Sequence, residues 1–297
     1  MQSNDVWRPR RSLFTNVSFL LLLTASLCPA AGPSLDTASE LYQLTRYEEA
    51  LGVLQKIASK DAAYWTLTGK SYYGSGEYKR AAEALEKATA LRPEDSTLYM
   101  WLGRVYGRRA ETSSFLTAPL YASRARQYFE KSIQLDPRNL EAMDDLLDYY
   151  LDAPGFLGGG LDKAQSLAER IGALDPAEFH YAQARIAEKR HDPHSAEQHY
   201  RKAYELSPRR VGRLLDLGTF YSGQGRYRES DEAFRLAAQS APGLPKVIFA
   251  RAKACVRAKR NLEEARSLLQ KYLQSNLTPD DAPRQEAVLL LRAASGG

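Results

Sequence analysis

All four histidines of the chain, His180, His191, His194 and His199, crowd into one short stretch, which raises the question of a metal centre. Neutral imidazole is a common zinc ligand, and His191, Asp192 and His194 would converge if a turn brought them together. Two ring ligands on one helix stand at i and i+4, so that both project from the same face. No pair among these four has that spacing, and no cysteine accompanies them. A second candidate is the run Ala153-Pro154-Gly155-Phe156-Leu157-Gly158-Gly159-Gly160, with Lys163 close behind. Glycine-rich loops cradle phosphate when they follow a strand and continue into Lys-Ser or Lys-Thr, whereas Lys163 is followed by Ala164. The stretch is expected to be a turn that needs positive φ, with Phe156 and Leu157 exposed. No nucleophile stands beside a base at a recognisable spacing. The residues therefore predict no catalytic centre, no metal and no cofactor, in a protein that is not an enzyme.

Charge narrows the partners. The formal net charge is +5. The first 31 residues hold Arg8, Arg10 and Arg11 against Asp5, leaving about +3 on the remainder, too weak a field to argue for nucleic acid. The same segment has the three parts of an export signal: the basic arginines, an apolar run over residues 19–27, and the small residues Ala30 and Ala31. The run is shorter than the roughly 18 residues a membrane span needs. Cleavage is expected after Ala30. Arg10-Arg11-Ser12-Leu13-Phe14 also looks like a twin-arginine signal. Cys28 is similar to a bacterial lipoprotein site, but Leu27 stands where a small residue is expected. The expected location is periplasmic or otherwise extracytoplasmic, with the leader removed or kept as an uncleaved or lipidated anchor. With Cys28 in the leader, Cys255 has no partner and no disulfide can form within the processed chain.

Any binding surface must be carried by helices. Trp65, Thr68, Gly69 and Tyr72 fall on one side of a helix by their spacing, and Ala81, Leu85 and Ala88 form the inner stripe of a second helix over about Tyr78 to Leu91. Gly69 and Ala81 carry almost no side chain, as close helix packing requires, and Pro93 ends the second helix. The skeleton returns at Tyr99-Leu102-Gly103-Tyr106 with Ala125-Phe129-Pro137, and at Leu214-Leu217-Gly218-Tyr221 with Ser230-Phe234-Pro242. Cys255 falls where Tyr72 stands in the first of these and is expected to be a small buried hydrophobe.

This skeleton resembles the tetratricopeptide repeat, a helix-turn-helix unit of about 34 residues. The resemblance implies an all-α fold: an α-solenoid of about seven such units forming a right-handed superhelix, closed by a C-terminal capping helix. After the leader, the units are placed at residues 34–61 (a degenerate first repeat), 62–95, 96–139, 140–176, 177–210, 211–244 and 245–278, with the cap and tail at 279–297. The third unit contains extra residues between its helices, within 107–123. Its apolar Phe115, Leu116, Pro119 and Leu120 are expected to fold back on the array, partner contact being the alternative. In the cap, Val288, Leu289 and Leu291 are expected to cover the last repeat while Arg284, Glu286 and Arg292 face water. An extended third unit followed by the Pro-Gly-Phe-Leu-Gly-Gly-Gly loop looks like a subgroup of exported bacterial repeat proteins.

In such solenoids the first helices line a concave groove. One groove-facing position recurs as Lys70, Arg104, Asp148, Arg185, Thr219 and Lys253, mostly basic. The fourth unit instead offers Glu141, Asp144, Asp148 and Asp152 between Arg104 and Arg108 on one side and Arg185 and Lys189 on the other. Neighbouring helices would then neutralise one another across the groove; alternatively, Lys70, Tyr73, Arg104, Arg108, Arg185 and Lys253 form a polar binding surface. The carboxylate clamp of chaperone-binding members is not matched, since Thr66 and Lys70 occupy its positions. The resemblance implies a scaffold or adaptor that binds an extended peptide or a protein partner in the groove. The alternative is a small-ligand-binding periplasmic accessory protein of a solute transporter, with a pocket closed by the inserts of the third and fourth units.

Overall fold

The computed structural model describes residues 33–296. The expected export signal, its twin-arginine pair and Cys28 lie outside these residues. The described residues form a compact unit by themselves. Their apolar cores are built from within the unit, from Ala38 near its start to Ala287 in its last helix.

The described residues contain fifteen α-helices and no strand. They run as hairpins: α1 (Leu35–Gln43) with α2 (Tyr47–Leu54), α3 (Ala62–Gly74) with α4 (Tyr78–Leu91), α5 (Ser96–Thr112) with α6 (Ala118–Leu135), and α7 (Leu140–Asp152) with α8 (Leu161–Gly172). There follow α9 (Pro176–Lys189) with α10 (Pro193–Leu206), α11 (Gly212–Gly223) with α12 (Tyr227–Ser240), α13 (Pro245–Arg257) with α14 (Leu262–Gln274), and the single α15 (Arg284–Ala294). Each odd-numbered helix packs on the even-numbered helix after it, and each hairpin on the next, so contacts stay local along the chain. This is an α-solenoid.

Local chemistry sets the helix starts. Asp61, Asp95, Asn139, Asp175 and Asp192 each cap a first turn by accepting a backbone N–H, Asp61 from Tyr64 at 2.8 Å. Inside the hairpins the small residues do what their spacing predicts. A Cβ on Gly69 would lie 2.6 Å from Leu85 Cγ, and one on Gly103 would lie 2.4 Å from the Phe129 ring. The bulky side chain of the second helix thus fills the space that glycine leaves on the first. The turns of the five hairpins other than α5–α6 and α7–α8 each use a left-handed residue. Gly76 and Gly225 take it without strain, while Thr45, His191 and Lys259 take it at φ of 56°, 58° and 52°.

Three details depart from expectation. The extra residues of the third unit are mostly helical, lengthening α5 to 17 residues and α6 to 18 around a short turn. Phe115, Leu116 and Leu120 do not fold back on the array: they are 83%, 76% and 55% exposed. Tyr106 and Tyr121 of the same hairpin turn inward instead and pack on each other. In the glycine-rich stretch, Gly155–Leu157 form one turn of 3₁₀ helix, and Gly158 and Gly160 adopt φ of +90° and +145°. Phe156 is exposed there, but Leu157 is half-buried. In α15, Ala287 and Leu291 pack on α13 and α14, whereas Leu289 points to solvent and Glu286 turns toward α13.

Candidate binding groove

The odd-numbered helices carry the groove residues. In α3, Lys70 Nζ lies 4.8 Å from the centre of the Trp101 ring, a cation–π contact. No carboxylate among the described residues comes within ion-pair distance of it, and burial, aided by the charge of Arg104, draws its pKa below the ordinary lysine range. Tyr73, one turn on, meets Trp101 and Tyr78 edge to face at 5.4 and 5.7 Å.

The other predicted cations are matched. Arg104 donates from Nε to Asp145 Oδ2 at 2.6 Å and from Nη2 to Glu141 Oε2 at 3.2 Å. Arg108 pairs with Glu111 and donates to the Tyr78 hydroxyl at 3.3 Å. Arg185 reaches Asp148 at 2.8 Å and the Tyr181 hydroxyl at 3.2 Å. Lys253 donates to Glu286 of α15 at 2.7 Å. Lys189 approaches Asp152 at 3.6 Å. Of the six residues singled out from sequence, five are cations, and among the described residues Lys70 is the one of these five left without an anionic partner.

Several groove residues were not singled out. Trp101 is the platform shared by Lys70, Tyr73 and Arg104. Asp145, rather than one of the four acids at regular spacing, takes the shorter contact to Arg104. Between α9 and α11, Arg213 is buried, pairs with Glu178 and with Asp216 at 3.1 Å, and lies 4.5 Å from the Tyr181 ring centre. No Cα pair of α9 and α11 comes within 8 Å, unlike every other pair of successive odd-numbered helices, and these large side chains span the gap. Asp144 Oδ1 is buried without a hydrogen-bond partner. Burial, followed by the field of Glu178, pushes its carboxyl up to about 7, and burial pushes Asp216 up to about 6 against the pull of Arg213.

Two cavities open on the groove. The first, of about 470 Å³, is lined by Tyr42 of α1, Lys70 and Tyr73 of α3, Trp101 and Arg108 of α5, and by the segment 277–286 from the other end of the unit. The curvature of the array thus brings its last loop to face its first repeats. That C-terminal segment, not the two inserts, narrows the groove. It is braced from behind by the Tyr272 hydroxyl, which donates to the Ala282 carbonyl at 2.5 Å. The second cavity, of about 930 Å³, is lined by Tyr181, Arg185, Tyr200, Asp216 and Phe220, and by Arg257 of α13.

The histidines are dispersed. His180 and His199 meet between α9 and α10 with their Nδ1 atoms 2.9 Å apart, and burial lowers both pKa values. His191 is the left-handed turn residue, and His194 contacts Gln198. Among the described residues no group of three or more His, Cys, Asp and Glu side chains stands where it could hold a metal ion. Cys255 is free and 2% exposed, and burial raises its thiol pKa.

Comparison with known proteins agrees with this geometry. Residues 69–109 match the TPR repeat family. The fold is similar to that of a tetratricopeptide repeat protein from Parabacteroides merdae, with a TM-score of 0.58 and 12% identity over 88% of this chain and 97% of that one. It is also similar to a thermophilic TPR protein of Thermus thermophilus, with a TM-score of 0.50 and 21% identity over 67% of this chain and 97% of the other. No curated protein matches the chain. The described residues thus form an α-solenoid whose fold is similar to that of tetratricopeptide-repeat proteins.

Proposed function

We propose that the protein is a non-enzymatic scaffold or adaptor that works outside the cytoplasm and takes an extended segment of a peptide or protein partner along the concave groove. The observation that carries this is Lys70: a half-buried ammonium group that no carboxylate of the described residues reaches at ion-pair distance, set between Tyr73 and Trp101 on the wall of the first cavity. An acidic side chain or terminal carboxylate would complete its charge, and the aromatic rings would take an adjacent apolar residue. The volume of this cavity also lies within the range of small-molecule sites, which favours a carboxylate-bearing solute as the second reading.

One experiment separates the two. The chain from residue 33 and its Lys70→Glu variant are used to capture partners from an extracytoplasmic extract, and both are titrated calorimetrically with short acidic peptides and with free dicarboxylic acids. A scaffold retains a protein or peptide that the variant loses. A solute-binding protein gives heat with the free acids alone. Equal recovery and equal heats for the two proteins would remove the Lys70 cavity as the contact surface.

A further inference from the structure

The three most exposed large apolar side chains of the described residues, Phe115, Phe156 and Leu116, lie in two places that the groove does not use. Phe115 and Leu116 sit in the turn between α5 and α6, and Leu120 in the first turn of α6. Phe156, 83% exposed, sits in the 3₁₀ turn of the next unit, which packs on the side of α6 with Gly158 against the Arg126 side chain. Both places are insertions relative to the regular repeat. The longer α5 and α6 carry the first of them beyond the ends of the 13-residue and 14-residue helices that precede them.

Cations stand directly behind this apolar tip. Arg124 follows Leu120 by one helical turn, a rise of about 6 Å, and Arg109 lies in the last turns of α5. Neither has a carboxylate at ion-pair distance among the described residues. Arg109 donates to the Tyr121 hydroxyl at 2.8 Å and stacks on that ring, and Arg124 donates to the Tyr106 hydroxyl at 3.1 Å. Of the acids nearby, Glu111 is held by Arg108 and Glu130 by Arg126, and Glu86 accepts at 2.7 Å from the Tyr106 hydroxyl, which links it to Arg124.

We infer that this double tip is a docking surface for an anionic lipid bilayer, with Phe115, Leu116, Leu120 and Phe156 entering the interface and Arg109 and Arg124 meeting the phosphate headgroups. Interfacial anchors bury an apolar face roughly 5–10 Å into the boundary between headgroups and acyl chains, which matches the one-turn offset between the apolar tip and its cations. Arginine and the aromatic side chains suit that depth because each has an apolar body and a polar or polarisable end. Charge decides the occupant: two guanidinium groups that no carboxylate reaches at ion-pair distance, set around an apolar tip, complement an anionic membrane rather than a neutral apolar surface. The protein would peripherally rest on the bilayer; no helix among the described residues is long and apolar enough to cross it.

The test uses the chain from residue 33, which holds its own core, so that the leader contributes nothing. It is sedimented with vesicles of phosphatidylcholine and with vesicles in which part of the lipid is phosphatidylglycerol. Binding is expected to be at least about tenfold stronger to the anionic vesicles and to weaken as salt is raised. The Phe115→Ser/Phe156→Ser double variant is expected to lose at least about tenfold of that binding, as removal of two inserted aromatic groups should. Both positions are exposed, so circular dichroism should be unchanged. A separate Phe115→Trp variant reports the site directly, since its emission should shift to the blue on anionic vesicles only. Equal sedimentation of the wild-type and double-variant chains, no blue shift, or equal affinity for the two lipid mixtures would overturn the inference. So would light scattering that shows a dimer broken by the double variant without vesicle binding, which would give the tip to a second copy of the chain.

Discussion

At the first cavity Lys70 leans on Trp101 with no carboxylate of the described residues at ion-pair distance, whereas around the second Arg185 and Arg213 are locked to Asp148, Glu178 and Asp216. The same repeat, a few units apart, uses the same groove-facing helices in two ways. A cation that has given up part of its hydration and found no anion stays available to a partner. A cation bound to two carboxylates in a half-buried setting holds helices in place, and removing it strands the charges it compensated. The difference separates a surface that receives from one that supports.

The largest test of that contrast is a pH effect of unusual sign. The Asp144 and Asp216 carboxyls are raised in the folded state to about 7 and about 6. The folded protein therefore binds protons more tightly than the unfolded chain does, so their contribution to stability is full below the ordinary aspartate range and is lost as pH rises through 6 to 7. The contribution of these two groups should rise by about 5 kcal/mol as pH falls from neutrality toward 4, read as the difference in unfolding free energy between the wild type and the variants that lack them. Asp144→Asn should flatten most of this slope while raising stability at pH 7.

Next in size is Arg213→Met. It leaves Asp216 without its ion-pair partner and Glu178 with Arg210 alone, and we expect a loss of about 3 kcal/mol in denaturant unfolding. A loss below about 1 kcal/mol would mean that the α9–α11 junction is not held by this network.

Arg185→Gln comes third. It removes the ion pair to Asp148 but keeps a donor for Tyr181, and should cost about 1 kcal/mol. The smallest effect on stability falls at the other end of the groove, where Lys70→Gln should change unfolding by less than about 0.5 kcal/mol because no ion pair is broken. The same change should weaken capture of an acidic partner about tenfold, the size expected for one charge-assisted contact. If Lys70→Gln destabilises the fold as much as Arg185→Gln, the distinction between the two ends fails.

The repeat itself was legible because close helix packing restricts residue type. Gly69, Gly103 and Gly218 each face a bulky side chain of the following helix, and such spacing survives in the linear chain. The partners of the groove charges were less legible. Asp145 lies one residue from Asp144 and differs from it only in the angle at which it leaves α7, yet one reaches Arg104 and the other is left without a bond. Extra residues within 107–123 were visible as a break in the period. Their continuation of two helices was not, because apolar residues at a helical tip and in a folded-back loop give the same pattern. Least legible was the approach of segment 277–286 to Tyr42 and Tyr47, which sums small rotations over every repeat.

That approach gives the coil a mechanical property. A helical ribbon yields along its axis as a spring does, each unit giving a little, and here the first hairpins and the last loop share the walls of a single chamber. Filling the chamber would therefore fix the pitch of the whole ribbon, and tension that lengthened the ribbon would draw the walls apart and discharge what they held. Through this geometry grip and extension become one variable, linked in both directions as any pair of coupled equilibria must be.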